Sequence, residues 1–199
     1  MILPRHLIVF TRPARLGAVK TRLAAGIGTS EAWRFHRRTV RTLLMKVARD
    51  TRWRTWLALP PEAIEQNDRS WPIDLPRLDQ GEGDIGQRMA RSFDQLPPGS
   101  AVLIGGDIPS IEPFHIAEAF EALGAAEIVF GPAADGGFWL VGFARRGRRL
   151  DPFSGVRWST EHALADARAH LPRDTRVALV ETLADVDDAA AYERWRAGA

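Results

Sequence analysis

The apolar run Ala101-Val102-Leu103-Ile104 passes directly into Gly105-Gly106-Asp107, and from about Glu112 a helical spacing follows with Ile116, Phe120 and Leu123 on one face. This is the pattern of a buried strand, a loop and a helix. The chain begins the same way. Leu7-Ile8-Val9-Phe10 stops at Thr11-Arg12-Pro13, where Pro cannot join a ladder. After Gly26-Ile27-Gly28, Thr29 or Ser30 is placed to cap a helix that carries Trp33, His36, Val40, Leu43, Leu44 and Val47 on one side. Further strands are expected at Trp53 to Leu59, Glu127 to Phe130, Phe138 to Val141 and Arg176 to Val180. Further helices are expected at Asp84 to Leu96 (burying Ile85, Met89, Phe93 and Leu96), from Ser159 or Thr160 to about Leu171, and from Asp188 to Trp195. Alternating strands and helices predict an α/β fold, a mostly parallel sheet with helices on both faces, and ligands bound beyond the carboxyl ends of the strands.

With 199 residues and no linker or repeat, a single domain over 1–199 is expected. No apolar run approaches the ~18 residues of a membrane span, and the apolar part of Met1 to Phe10 is too short for a signal peptide. Cysteine is absent, which fits a cytoplasmic location and leaves only oxygen or His to hold a metal. The net charge of +2 is interleaved along the chain, so nucleic acid is not an expected partner, and oligomeric state is left open. Lysine occurs only at positions 20 and 46 in a chain otherwise rich in Arg, a weak pointer to a compact ammonium at Lys20.

Four segments carry candidate chemistry. The loop Thr11 to Arg22 gathers Arg12, Arg15, Lys20 and Arg22 around Gly17, which suits a phosphate-bearing ligand or a solvated basic loop. Val19 and Ala14 stand where a P-loop needs glycines, so that motif is excluded. Asp107 sits at the tip of its strand, able to hold Mg²⁺ with substrate phosphates or to cap the helix near Pro113. Gly131 to Gly137 reads as a turn, or as a carboxylate (Asp135) with the backbone amides of Gly136 and Gly137 beside the Asp107 loop if the two preceding strands are neighbours. Asp185-Val186-Asp187-Asp188 offers carboxylates to a metal or caps to the last helix; capping is assigned to Asp188, and Asp187 is left open. No metal-ligand His spacing and no Gly-x-Ser-x-Gly elbow occurs. Most Trp fit core positions, with Trp139 and Trp158 able to line a pocket.

Five pieces in order, Phe10 to Leu23, Gly83-Asp84-Ile85-Gly86-Gln87-Arg88-Met89, Gly105 to Ser110, Gly131 to Leu140 and Trp158-Ser159-Thr160, resemble a bacterial family of GT-A-type, glycosyltransferase-like proteins of the nucleotide-diphospho-sugar transferase superfamily. The resemblance spans nearly the whole chain. It implies a Rossmann-like nucleotide-binding fold, a nucleotide or nucleotide-sugar ligand, and Mg²⁺ or Mn²⁺ near Asp107. It also implies a nucleotide site of Arg12, Gly17, Lys20, Thr21, Arg22, Asp84 and Arg88, and an acceptor site of Asp135, Gly136, Gly137 and Trp158. The chain is similar as well to nucleotidyltransferases in which a second Asp near the C-terminus shares the metal, a position that Asp187 matches. Gly105 stands where many metal-dependent glycosyltransferases of this fold carry the first Asp of Asp-x-Asp. The resemblance therefore implies a transferase, either of a sugar from a sugar nucleotide (Asp107, Asp135 and Lys20 catalytic) or of a nucleotidyl group with release of pyrophosphate.

Overall fold

The computed structural model describes residues 4–66 and 71–198; the expected domain over 1–199 and the N-terminal stretch from Met1 also include positions outside them. Strand β1 (Arg5–Phe10) leads through a loop to α1 (Thr21–Ile27) and α2 (Thr29–Val47), followed by β2 (Arg54–Leu59), α3 (Pro61–Glu65) and β3 (Arg77–Asp79). Next come α4 (Ile85–Asp94), β4 (Ser100–Gly105), α5 (Pro113–Ala122), β5 (Ile128–Pro132), β6 (Phe138–Phe143), α6 (Ala163–Ala169), β7 (Val177–Leu179) and α7 (Ala189–Ala197). The described residues build one sheet in the order β3-β2-β1-β4-β6-β5-β7. Pairs β1–β2, β1–β4, β2–β3 and β5–β7 are parallel, while β6 runs antiparallel to both β4 and β5. The α/β, mostly parallel architecture expected from the alternation is what the chain adopts.

Successive strand residues divide between two cores, as a period of two requires. Leu7, Val9, Leu57, Leu59, Val102 and Ile104 pack under Val40, Leu44 and Val47 of α2 and Ile116 and Phe120 of α5. Ile8, Ala58, Ala101, Leu103, Phe130 and Val141 pack on the other face with Met89 and Phe93 of α4 and Ala163 and Ala167 of α6. A third cluster, Leu23, Phe35, Val186 and Tyr192, fastens α1 and α7 to α2.

Several elements differ from expectation. The first helix after β1 is α1, and the cap of α2 is Gly28 with no side-chain cap. Helix α6 starts after His162, later than Ser159 or Thr160, and Ser159 sits at φ 60. Ile85 is exposed, because Asp84 forms a capping box with Gln87 and turns the first helical residue outward. The strands preceding the Asp107 and Asp135 loops, β4 and β5, are not neighbours: a short turn can return only an antiparallel strand, and β6 enters between them. No helix among the described residues is long and apolar enough to cross a membrane.

His6 stands buried in β1 between two partners that settle its tautomer. The Trp56 indole N–H, a donor only, points at Nδ1 at 3.2 Å, so the ring proton is on Nε2 and is donated to the Pro98 carbonyl at 3.3 Å. Burial, followed by the charges of Arg145 and Arg54, outweighs that carbonyl and lowers the His6 pKa from its ordinary value. With the folded value below the unfolded one, the unfolded chain binds the extra proton first, so stability falls as pH drops below about 6.5 toward the depressed folded value. Urea unfolding midpoints are expected to fall between pH 7 and pH 5. His6→Gln, which takes up no proton, is expected to lose part of that acid sensitivity; an identical pH profile in the variant contradicts the assignment.

Candidate functional site

The loop from Thr11 to Lys20 is held over the carboxyl end of β1 by local bonds and by α2. Arg15 N–H donates to the Pro13 carbonyl at 2.9 Å, Ala18 N–H to the Arg15 carbonyl at 3.1 Å, and the Trp33 indole to the Ala14 carbonyl at 2.8 Å. Lys20 then adopts a left-handed backbone (φ 50, ψ 49) directly before α1, a conformation that costs a residue with a Cβ about 1–2 kcal/mol. Its side chain is turned inward and only 4% exposed, with Nζ 3.1 Å from Asp107 Oδ2 and 2.5 Å from Asp187 Oδ1. Arg22 approaches the other Asp187 oxygen at 3.8 Å.

Each carboxylate arrives by a different route. Asp107 follows β4 across Gly106, where a Cβ would lie 2.8 Å from Thr11 Oγ1; the glycine lets the β4 loop close on the β1 loop. Asp187 lies on the segment after β7, which runs beside the turn following β5: Leu183 N–H donates to the Pro132 carbonyl and Ala134 N–H to the Leu183 carbonyl. Asp188 caps α7 through the Ala191 N–H at 2.7 Å, as expected, which frees Asp187 to face Lys20. Glu112, not Asp107, caps α5.

Burial alone pulls the Lys20 pKa down, but the Asp107 and Asp187 carboxylates outweigh it and hold the ammonium above its ordinary value. Asp187 is opposed by burial and held below the usual carboxylate range by Lys20 and Arg22. Asp185 is pushed up to about 6 by burial and then by the charges of Asp187 and Asp135, which outweigh the opposing charge of Lys20.

These groups border a cavity of about 330 Å³ walled by Phe10, Thr11, Arg12, Lys20, Thr21, Arg22, His36, Gln80, Ile85, Asp107 and Asp187. A roomier groove of about 570 Å³ lies along α4, but the charges of Arg148 and Arg149 in its wall are met by Glu127, Asp174 and Asp94. The smaller cavity has two polar atoms without a partner in its wall, Thr11 Oγ1 and His36 Nδ1; among the described residues Trp71 Nε1 and Arg88 Nε, away from that wall, are likewise buried without one. His36 Nε2 lies 3.5 Å from the Arg12 carbonyl, an acceptor, so Nδ1 presents a lone pair. Such atoms each cost about 1–3 kcal/mol unless a ligand or water meets them.

The expected nucleotide-site residues divide. Arg12, Lys20, Thr21 and Arg22 line the cavity, whereas Gly17 lies on the open loop, Asp84 is engaged as the cap of α4, and Arg88 stands behind the wall over the Phe10 ring. The expected acceptor residues lie outside it. Asp135 Oδ1 accepts the Gly137 N–H at 2.9 Å and the Gly136 N–H donates to the Ala133 carbonyl, so neither amide is exposed for a ligand as anticipated. Gly136 is there because its φ of 87 and the Glu161 backbone, 2.2 Å from any Cβ, admit no other residue. Trp158 packs on Phe138 and Phe153 with ring centroids 6.0 and 6.4 Å away. Gln80 and His36 were missed as site residues. Gln80 is 1% exposed, donating to the Thr11 and Ala58 carbonyls at 2.9 Å each while its own oxygen accepts from Arg88.

Among the described residues no group of three or more His, Asp or Glu side chains is set to hold a metal. Mg²⁺ nevertheless needs only one or two carboxylates when phosphate oxygens and water complete its shell, and Asp107 and Asp187 converge on a single cationic point. The donor set fits a hard divalent cation, at a point where the Lys20 ammonium now lies.

Residues 43–160 match the family model described as an uncharacterized protein conserved in bacteria, DUF2064. Among solved structures, a proposed nucleotide-diphospho-sugar transferase from Desulfovibrio desulfuricans G20 is similar over 92% of this chain and 82% of its own, at 26% identity and a TM-score of 0.80. The 4-diphosphocytidyl-2C-methyl-D-erythritol synthase from Anaerococcus prevotii DSM 20548 is similar over 98% of both chains at 10% identity and a TM-score of 0.64. The manganese complex of Rv0371c from Mycobacterium tuberculosis H37Rv is similar over 96% of this chain and 97% of its own, at 16% and 0.51. The last two likenesses are of fold alone. No curated protein matches the sequence. The fold implied by the motifs, that of the nucleotide-diphospho-sugar transferases, is therefore the fold observed.

Gln80→Leu leaves the Thr11 carbonyl and the Arg88 guanidinium without their buried partner, and is expected to lower stability by about 1–3 kcal/mol in urea denaturation. An unchanged midpoint contradicts the role given to Gln80 as the brace of the cavity wall.

Proposed function

Starting from the DUF2064 family, to which the chain belongs, we propose that the protein is a transferase that binds a sugar nucleotide with Mg²⁺ or Mn²⁺ and passes the sugar to an acceptor. The observation that carries this reading is the convergence of Lys20, Asp107 and Asp187 in a cavity that Arg12 and Arg22 also line, at the carboxyl ends of β1 and β4. In a sheet of this kind that is where ligands bind.

Asp107 and Asp187 would hold the cation, which when bound neutralises charge on the diphosphate. Lys20 and Arg22 stand beside the same place, where they offset the charge that develops on the nucleoside diphosphate as the bond from its β-phosphate oxygen to the sugar breaks. Arg12 bears on the phosphates from the β1 loop. Thr21 and the unmet atoms of Thr11 and His36 provide donors and acceptors for the nucleotide, with Gly17 giving close approach, Asp84 holding the first turn of α4 and Arg88 supporting the wall from behind through Gln80. Asp135, on the turn outside the cavity and beside the segment that carries Asp187, is assigned to orienting the acceptor hydroxyl and taking its proton as the new sugar–oxygen bond forms, with Gly136, Gly137 and Trp158 shaping that turn and its surroundings instead of binding the acceptor themselves. The overall likeness to the Desulfovibrio protein supports the sugar-nucleotide reading, and the manganese in the Mycobacterium complex supports a divalent cation.

The pair Asp107 and Asp187 favours a second reading. Two carboxylates from the β4 loop and the C-terminal segment, with no acidic residue at Gly105, are the arrangement that the resemblance to nucleotidyltransferases implies. In that reaction a substrate phosphate oxygen bonds to the α-phosphorus of a nucleoside triphosphate and pyrophosphate leaves, with Lys20 and Arg22 offsetting charge on the transferring group.

A thermal-shift screen of nucleoside diphosphates, triphosphates and sugar nucleotides with and without Mg²⁺ or Mn²⁺ separates the two. A ligand at about a hundred times its Kd adds roughly 2.7 kcal/mol, or about 5–10 °C in a chain of this size. A metal-dependent shift with a sugar nucleotide, and nucleoside diphosphate as product, is the expected result. A shift with triphosphate and release of pyrophosphate selects the second reading, and no shift with any nucleotide contradicts both.

A further inference from the structure

We infer that Lys20 makes the site take its divalent cation only together with a phosphate-bearing ligand, because the ammonium stands between the two carboxylates until a phosphate draws it aside. The inference rests on the reading that Asp107 and Asp187 hold the cation. Nζ lies 3.1 Å from one carboxylate and 2.5 Å from the other. A cation of the Mg²⁺ type must come within about 2.0–2.1 Å of each oxygen it binds, so ion and ammonium cannot share the space between the pair. One of them has to leave.

The geometry says which can move and where. The carboxylates are 49% and 39% exposed, so an ion reaches them from solvent without opening the core. Lys20 is pinned at its base by the left-handed backbone and by buried Val19, but its four-carbon stem leaves the ammonium free to swing. An ammonium displaced by the ion alone would be left buried with its counter-charges shared with a divalent cation, an arrangement opposed by desolvation and by repulsion. A phosphate in the cavity beside Arg12 and Arg22 changes this, since its oxygens replace the carboxylate that Lys20 gives up. Cation and phosphate each then raise the affinity of the other, as linkage requires. Lys20 is in this respect a positioning residue, setting the form in which the ligand is accepted: the metal–phosphate complex, not the free ion.

The test is Mn²⁺ binding without nucleotide, followed by the electron paramagnetic resonance signal of free Mn²⁺. Lys20→Met, which keeps most of the stem, is expected to bind Mn²⁺ at least about fivefold more tightly than the wild type, the lower end of ordinary coupling. Adding Asp107→Asn to Lys20→Met is expected to abolish the gain. Loss of a merely structural lysine would not tighten metal binding. Equal Mn²⁺ affinity in wild type and Lys20→Met overturns the inference while leaving the metal reading intact; no Mn²⁺ binding in either protein, with or without nucleoside diphosphate, overturns the metal reading and the inference with it. A second measurement needs no variant. With lysine at only two positions, ¹³Cε labelling gives two lysine signals, and Lys46, paired with Glu112, is the internal control. Mg²⁺ alone should leave the Lys20 signal in place, and Mg²⁺ with nucleoside diphosphate should move it. Displacement by Mg²⁺ alone to the same position overturns the inference.

Discussion

A buried ammonium between two carboxylates ties together three segments that the sequence keeps far apart. Lys20 closes the loop after β1, Asp107 ends the loop after β4, and Asp187 precedes α7 at the far end of the chain. Removing either carboxylate would leave the ammonium of Lys20 short of a counter-charge in a place water barely reaches, the situation in which a buried ion pair becomes strongly destabilising. The strain of the left-handed Lys20 backbone, the close approach at Gly106 and the capping of α7 by Asp188 all serve the same convergence. They spend local stability to hold charge where a phosphate and a cation would need it.

The sheet explains why the site lies where it does. Parallel strands β1 and β4 are adjacent and end together, with Phe10 level with Gly105, so the loops that follow them face each other across one cavity. The antiparallel strand β6 then enters beside β4, and the turn that feeds it brings Asp135 to the same end of the sheet although β5 is one strand further away. The segment 181–188 runs alongside that turn, carrying Asp185 and Asp187. Asp185, pushed up to about 6 by burial and by its acidic neighbours against the opposing charge of Lys20, marks how crowded with negative charge this edge is.

Much of this frame was legible in the sequence, because apolar runs such as Ala101 to Ile104 and Leu7 to Phe10 admit few arrangements other than buried strands. The candidate residues Lys20, Arg22, Asp107 and Asp187 do meet in one cavity with Arg12. What was not legible has identifiable causes. Helix α1 buries only Leu23 and follows a lysine in a left-handed conformation, so neither periodicity nor a capping residue announces it. Strand β3 has three residues and one buried side chain, Leu78. Gln80 is polar and buried, a combination no hydrophobic pattern reveals, and His36 sits on the apolar face of α2, where a histidine reads as core. The insertion of β6 between β4 and β5 is a choice of topology that strand patterns do not encode, and it sets the turn of Asp135, Gly136 and Gly137 one strand away from the Asp107 loop, while Trp158 is taken up by packing on Phe138 and Phe153.

The central claim is that Asp107, with Asp187, binds the cation that accompanies a nucleotide. Isothermal titration of Asp107→Asn with the nucleotide that the wild type prefers, in Mg²⁺ and in excess chelator, tests it most directly. The account predicts that wild-type binding weakens sharply when the metal is chelated, and that the folded variant binds weakly under both conditions. Metal-dependent binding in Asp107→Asn equal to that of the wild type would contradict it.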